Sequence, residues 1–436
     1  MNPGSPAATA TLETWLAYLE GIHSRPIDLG LERVNRVREQ LGLPSSLPFP
    51  VIIVGGTNGK GSVCAMLEAI LSCAGYRVGC YTSPHLLRYN ERVRVRRKEV
   101  GDAELCAAFA RVENARQDIS LTYFEFGTLA AVSCFMAREV DAAVLEVGLG
   151  GRLDAVNVFD ADCAVVTGVA LDHLDYLGDD RERIGYEKAG IFRTARPAVC
   201  GDPDPPRSLL DHGASVGARL MVLGRDFGFQ AEARQWRYWS GDRRRGGLPY
   251  PGLRGRRQLY NAATVLTVIE RLREQLPVSM AEVRRGLVEV EHPGRFQVLP
   301  GRPAVVLDVA HNPQAAGVLA DNLLDMGHYE NTLAVFGMLK DKDIAGVARA
   351  VAPRIDRWLV APIDHPRGAD AERLRRELLA AGVAAERLTV LPSLAEAARC
   401  AWELAEGSDR IAAFGSFHTV AEMLRQAARQ RRTRIL

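Results

Sequence analysis

Val51-Ile52-Ile53-Val54-Gly55-Gly56-Thr57-Asn58-Gly59-Lys60-Gly61-Ser62 is the stretch on which the fold turns. The aliphatic run reads as a buried parallel strand. It breaks into a glycine-rich turn, and residues 61–73 then carry helical periodicity. Strand, glycine loop and helix in that order make a phosphate cradle. Glycines let backbone N–H groups turn inward, a lysine reaches the phosphates, and a helix N-terminus stands behind them. Gly59, Lys60 and Ser62 supply these parts in sequence. The spacing departs from GxxxxGK[ST]. Gly55 lies four residues before Gly59, where five are required, and the Ser62 hydroxyl comes two residues after Lys60 rather than one. A tight turn in a Rossmann-like unit is the competing explanation.

Working outward, strands at 49–54, 78–81, 142–147 and 163–167 alternate with helical stretches such as 61–73 and 103–116. That rhythm means a doubly wound α/β sheet. Between 210 and 260 the rhythm fails. The segment is rich in Arg, Gly, Trp and Pro, with short alternations at 227–233 and 235–239, and we expect an antiparallel β insertion near 210–257. Helical periodicity returns at 258–272 and 279–288. The turn-forming His292-Pro293-Gly294-Arg295 predicts the end of a first domain at 294 and a linker over 295–301. A second, smaller Rossmann-like α/β domain is expected over 302–436. Its strands fall at 304–308, 332–336, 357–360, 388–391 and 410–414, with helices at 313–324, 344–351, 370–380, 394–406 and 419–430. Two domains also suit the 436-residue length, because single cores stop growing near ~250–300 residues.

Composition narrows the function classes. Hydrophobic residues make up 47% and charged residues 25%, and the net charge is +2. A chain so balanced has no bias toward nucleic acid or an anionic membrane, and the basic runs at 92–98, 243–245 and 429–434 read as solvated faces or tails. Eight cysteines without a CxxC pair suit reduced, buried thiols. The first residues lack a basic and apolar leader, and no 18-residue apolar run is present. These features together predict a cytoplasmic protein.

Two further residues carry chemistry. Glu146 ends a buried apolar strand, where an unpaired carboxylate is costly unless it binds a metal or a cation. His173, in Asp172-His173, follows an apolar run and by itself reads as structural.

The motifs around the phosphate loop, taken in order, identify the chain as similar to the Mur ligase/folylpolyglutamate synthase superfamily, and to its folate branch in particular. They are Ile27-Asp28-Leu29-Gly30-Leu31-Glu32-Arg33-Val34, Tyr81-Thr82-Ser83-Pro84-His85-Leu86, the run from Glu146 through Gly151 to Ala155, Leu171-Asp172-His173, Glu187-Lys188-Ala189-Gly190-Ile191-Phe192, His292-Pro293-Gly294-Arg295, Asp308-Val309-Ala310-His311-Asn312-Pro313 and Gly415-Ser416-Phe417-His418. They span nearly the whole chain.

The resemblance implies a ligase that uses ATP to join L-glutamate to dihydropteroate and to the tails of tetrahydrofolate and its polyglutamates, through an acyl phosphate. It implies ATP contacts from Thr57, Asn58, Gly59, Lys60, Gly61, Ser62, Asn261, Arg295 and Asp308. Two Mg²⁺ ions would be held by Ser83, Glu146 and His173, with Lys188 modified to N-carboxylysine. Lys60 and Lys188 would act in catalysis, and His311 and Ser416 would orient the incoming glutamate. The pterin acid would lie against the loop 82–92 and the segment 121–125, with Thr82, Pro84, His85, Thr122, Phe124, Asp154 and Ala155 as its wall. Plainer roles compete: helix capping for Asn261, Asp308 and Ser416, and core packing for Tyr123 and Phe124.

The family is typically monomeric. A Mur-type ligase acting on a peptidoglycan precursor and a P-loop NTPase coupled to partner binding are the alternatives. The first usually carries an extra N-terminal domain, for which a phosphate loop at residue 56 leaves no room. The second has no need of Ser83, Glu146, His173 and Lys188 together.

Overall fold

The computed structural model describes residues 5–7, 9–25 and 27–433. Residues 1–4 and Arg434, the end of the last basic run, lie outside the described residues. The chain folds as two units, 1–252 with 259–290 and 253–258 with 291–436.

The first unit is built on an eight-stranded sheet. Its strands are β1 (Val51–Gly55), β2 (Val78–Tyr81), β3 (Val93–Val95), β4 (Lys98–Glu99), β5 (Ala142–Glu146), β6 (Cys163–Val166), β7 (Pro197–Cys200) and β8 (Arg219–Val222). The order is β4-β3-β2-β5-β1-β6-β7-β8, parallel except for the β3 and β4 edge. Both β1 and β5 are buried along their whole length, which is why they read as unbroken apolar runs. Since β1 stands between β5 and β6, with Val54 opposite both Glu146 and Val165, its carboxyl end opens into a crevice where α/β sheets hold ligands.

The expected insertion is shorter than 210–257. The helix Arg207–Ser215 and strand β8 continue the doubly wound pattern. The antiparallel sheet occupies only β9 (Phe227–Ala231), β10 (Trp236–Ser240) and β11 (Arg243–Leu248). Strand β8 lies at the sheet edge with three of its four residues partly or fully exposed, and its short apolar run, 220–223, is set apart from the preceding rhythm by Gly217 and Arg219. The inner face of the small sheet is fixed to the helix Arg257–Arg271. Tyr238 meets the Thr267 hydroxyl at 2.9 Å and donates to Glu270 at 3.3 Å, and Phe229 packs on Tyr260 at 4.9 Å between ring centroids. Arg237 and Arg244 are exposed on the other side.

Helices Lys60–Cys73 and Met280–Glu289 approach so closely that a Cβ at Gly286 would stand 2.6 Å from the Ile70 Cα. Backbone cannot yield there as a side-chain tip can. Gly286→Ala is expected to cost about 1–3 kcal/mol, read as a lower urea midpoint with an unchanged slope.

In the second unit β12 (Gln297–Leu299), β13 (Ala304–Leu307), β14 (Thr332–Phe336), β15 (Arg357–Val360), β16 (Leu388–Val390) and β17 (Arg410–Phe414) form a sheet of order β12-β13-β17-β14-β15-β16. Strand β12 runs antiparallel to β13. Three of the seven residues expected as a linker over 295–301 are therefore ordered into this sheet, and three half-buried residues are too few to show a period. Phe336, Trp358 and Phe414 pack ring against ring at 5.2–5.9 Å in its core. Among the described residues no helix is long and apolar enough to cross a membrane. The eight cysteines are free, and six of them are buried.

Candidate active site

The glycine loop is clamped from two sides. Gly56 and Gly59 have φ of 139° and 95°, a region that side chains rarely enter. A Cβ at Gly56 would overlap the Thr167 hydroxyl, and one at Gly59 would lie 2.8 Å from the Asn261 Oδ1. Thr167, at the end of β6, donates to the Asn58 carbonyl at 2.7 Å. The Thr57 N–H donates to Gly168 O at 2.7 Å, and the Thr57 hydroxyl donates to Ala170 O and accepts from Ala170 N. The helix Lys60–Cys73 starts directly after Gly59, so the N–H groups of Gly61 and Ser62 belong to its open first turn. Lys60 Nζ donates to the Gly56 and Thr57 carbonyls at 3.1 and 3.3 Å. Asn261 lies inside the helix Arg257–Arg271, so it is not that helix's cap.

Around the loop, charged groups converge from four other segments. Glu146, 3% exposed at the end of β5, accepts from the Ser83 N–H at 3.1 Å. Ser83 follows β2 and precedes a cis peptide bond to Pro84. Asp172 and His173 sit on the loop after β6. Asp172 accepts the His173 N–H at 2.9 Å, and His173 has a φ of 53°, uncommon for a residue with a side chain.

Lys188, on the helix Arg181–Ala189, is 3% exposed. Burial pushes its amine down to about 7; the Lys60 ammonium adds to this, and Asp172 and Asp154 oppose it. Asp154 is pushed up to about 7 by burial, against N–H groups of Leu149, Val156 and Gly148. It accepts from Leu149 and Val156 at 2.8 and 3.1 Å and so organises the glycine turn before it. That turn lies against the helix bearing Lys188, for a Cβ at Gly151 would be 2.8 Å from the Glu187 carbonyl.

The loop between β2 and β3 is held by Glu91, whose carboxylate accepts the N–H groups of Leu86, Leu87 and Arg88 at 2.7–2.8 Å. The Thr82 hydroxyl accepts from Arg94 at 3.1 Å, and His85 Nδ1 accepts from Arg92 Nε at 2.9 Å. Thr122 caps the helix Tyr123–Ala137 by accepting from the Glu125 N–H. Phe124 packs on Tyr81 at 5.7 Å, and a Cβ at Gly148 would be 2.7 Å from its ring. Ala155 is buried at the start of the 3-10 turn Ala155–Val158.

In the second unit, Asp308, His311 and Ser416 follow the carboxyl ends of β13 and β17. Asp308 accepts from Phe296 and Ala310 at 2.9 and 2.8 Å. Burial pushes its carboxyl up, against the pull of Arg295. It does not cap the helix Pro313–Asp325, because Asn312 does so through the Ala315 N–H. The Arg295 guanidinium stacks on Phe417 at 5.3 Å, and His311 Nδ1 meets the Val309 carbonyl at 2.8 Å. Ser416 does act as a cap. Its hydroxyl accepts from Thr419 N at 3.0 Å at the start of the helix Phe417–Thr433.

Thr167 and Asp172 were not singled out as site residues from the sequence. Position after an apolar strand was the available signal for Thr167 and Asp172. Arg92 ends the loop 82–92 that the sequence assigns to the pterin acid, but no individual role was read for it there.

Residues 54–216 match the Mur ligase middle domain, and residues 294–417 match the Mur ligase glutamate ligase domain. The chain is 46% identical over 420 residues to the dihydrofolate synthase/folylpolyglutamate synthase of Escherichia coli (strain K12), covering 96% of each. It is 41% identical to the Haemophilus influenzae protein of the same name, covering 97% of this chain and 99% of that one. The structure of E. coli FolC in complex with DHPP and ADP superposes with a TM-score of 0.91 at 45% identity, covering 98% of this chain and all of that one. A bifunctional folylpolyglutamate synthase/dihydrofolate synthase with Mn, AMPPNP and L-glutamate bound gives 0.90 at 46% identity, covering 97% and 100%. With a phosphate loop, a buried lysine beside it and near-complete alignment to these proteins, the chain belongs to the dihydrofolate synthase/folylpolyglutamate synthase family of Mur ligases.

Proposed function

We propose that the protein is an ATP-dependent ligase that joins glutamate to dihydropteroate and to the glutamyl tail of reduced folates. The observation that carries this reading is the buried Lys188, whose amine is pushed down to about 7 by burial and then by the Lys60 ammonium of the phosphate loop. An NTPase that only switches conformation has no use for it. In the reaction, a carboxylate oxygen of the acid attacks the γ-phosphorus and the bond to ADP breaks. The glutamate amine then attacks the acyl carbon, phosphate leaves and the nitrogen gives up a proton. Such a path needs phosphoryl charge neutralised, the reactants held close and water kept from the acyl phosphate.

The donor set suits magnesium. Among the described residues no three His, Cys, Asp or Glu side chains form a cage for a metal, and magnesium asks for one or two carboxylates with phosphate and water making up the rest. Glu146, Ser83 and His173 would hold it, and it would supply charge neutralisation at the phosphates. The Lys188 nitrogen, when neutral, can add to carbon dioxide with loss of a proton to water, turning the amine into a carbamate anion.

Thr57 to Ser62, Asn261, Arg295 and Asp308 are the proposed nucleotide contacts. Thr82, Pro84, His85, Thr122, Phe124, Asp154 and Ala155 are assigned to the pterin acid, and His311 and Ser416 to the incoming glutamate. Because the hydroxyl of Thr122 and the carboxylate of Asp154 already serve backbone N–H groups, their part is to shape the pocket. Residues 1–294 then serve the pterin acid and the phosphates of ATP and 302–436 the glutamate, with Arg295 of the linker and Asp308 also reaching the nucleotide, in a monomer of the cytoplasm.

The test is ADP release with Mg-ATP and glutamate present, with dihydropteroate, tetrahydrofolate or no acid added. Stimulation by both acids, each product heavier by one glutamyl residue, is the expected result. Turnover independent of either acid would return the reading to an NTPase.

A further inference from the structure

Three arginines stand close together around the β2–β3 loop, and they are used differently. Arg88 reaches Asp102 and Glu99 at 3.2 and 3.6 Å. Arg94 forks onto the Glu68 carboxylate at 2.9–3.0 Å and also donates to Thr82 and the Glu91 carbonyl. Arg92 donates through Nε alone, to His85 Nδ1 at 2.9 Å. Among the described residues neither of its terminal nitrogens has a hydrogen-bond acceptor.

Its guanidinium is nevertheless fixed. The rings of Tyr89 and Tyr123 each have it 5.3 Å from their centroids, and the two tyrosines pack edge to face at 5.8 Å. The backbone is fixed as well, since the Arg92 carbonyl accepts the N–H of Thr82, one residue before Ser83. A half-buried guanidinium stacked on aromatics, with its orientation set and its fork unspent, is prepared for a planar bidentate acceptor.

We propose that Arg92 receives a carboxylate of the acid substrate. The inference rests on the acceptor-site reading above, because His85 and the segment Thr122 to Phe124 are the neighbours that define the place. Dihydropteroate offers one carboxylate, the one that reacts. A folate offers a second, the α-carboxylate of its glutamyl tail.

The experiment measures binding of pteroate, pteroate carboxamide and folate to wild type, Arg92→Met and Arg92→Lys, with ADP and magnesium present. The amide removes charge with little change of shape. In wild type the acid is expected to bind at least tenfold more tightly than the amide. If Arg92→Met erases that preference, the reacting carboxylate is the ligand. If folate weakens at least tenfold while pteroate does not, the tail carboxylate is the ligand. Arg92→Lys, which keeps charge without the fork, is expected to fall between, and the KM for ATP to stay within twofold. Equal weakening of all three compounds, or no change in any, would overturn the proposal. Phe124→Ala is the control for the underlying site: unaltered binding of all three compounds there would mean that the acceptor lies elsewhere, a failure distinct from that of Arg92.

Discussion

Lys60→Met is expected to lower ligase turnover by about 10³-fold while the folded protein survives. In the resting protein the ammonium rests on the Gly56 and Thr57 carbonyls. Both oxygens belong to the loop that would wrap the nucleotide. A γ-phosphate gathers charge as it transfers, and a cation already aimed into the loop meets that charge without reorganising. Methionine keeps most of the side-chain length and removes the charge, so the packing beneath the loop persists. The loss of two hydrogen bonds from the ammonium in a half-buried place costs about 1–3 kcal/mol. Acceptor-dependent ADP release should therefore collapse while the melting temperature moves by only a few degrees. Turnover within tenfold of wild type would remove Lys60 from the phosphate site.

Lys188→Met should produce opposite changes in activity and stability. Activity is expected to fall about 10²-fold or more if Lys188 takes the metal-orienting role proposed for it. Stability at neutral pH should rise. The folded amine lies at about 7, and in the unfolded chain it returns to its ordinary value near 10.4. Below about pH 7 both states carry the proton, and the full cost of burying the charge is present. Between about 7 and ~10.4 the unfolded chain holds a proton that the folded one does not, so stability climbs with pH through that window. The gap corresponds to a cost on the order of 5 kcal/mol at low pH. Urea denaturation in carbon dioxide-free buffer should show the wild-type midpoint rising from pH 7 to 9. The variant should start higher and lack that component of the slope. A wild-type midpoint that stays flat across this range would mean the folded amine is charged. With ¹³C-bicarbonate, wild type should gain a carbamate resonance that the variant lacks. The two variants are also linked: the Lys60 ammonium helps hold the Lys188 amine down, so Lys60→Met should raise it.

Both targets could be named from the sequence, though for different reasons. The fold was legible wherever burial on both faces left a continuous apolar run, as in β1 and β5. It was hidden at sheet edges, where β8 and β12 are only partly buried and too short to show a period. Lys60 follows from local chemistry, because strand, glycine turn and helix are contiguous. Lys188 does not: its burial comes from the glycine turn at Gly148 to Gly151 folding onto its helix, a contact between distant segments. The loop 82–92 that ends at Arg92 was legible as a substrate loop, but the hold on the guanidinium was not, since the two rings come from separate elements. For Ser416 a cap and a ligand contact look alike in sequence, and the hydrogen bond to Thr419 shows the cap.

The small sheet β9–β11 has a consequence for anyone who wishes to alter this protein. Its inner face is fastened to the helix Arg257–Arg271, and that helix sets Asn261 against Gly59. The turn at Gly241 and Asp242, between β10 and β11, is exposed. A fluorescent domain or an affinity handle spliced into that turn would hang from a braced support without touching the crevice. Cutting the whole sheet away to make a minimal enzyme would instead slacken the helix that steadies the nucleotide loop. The same 22 residues, 227–248, therefore offer a place to add to the chain and a poor place to trim it.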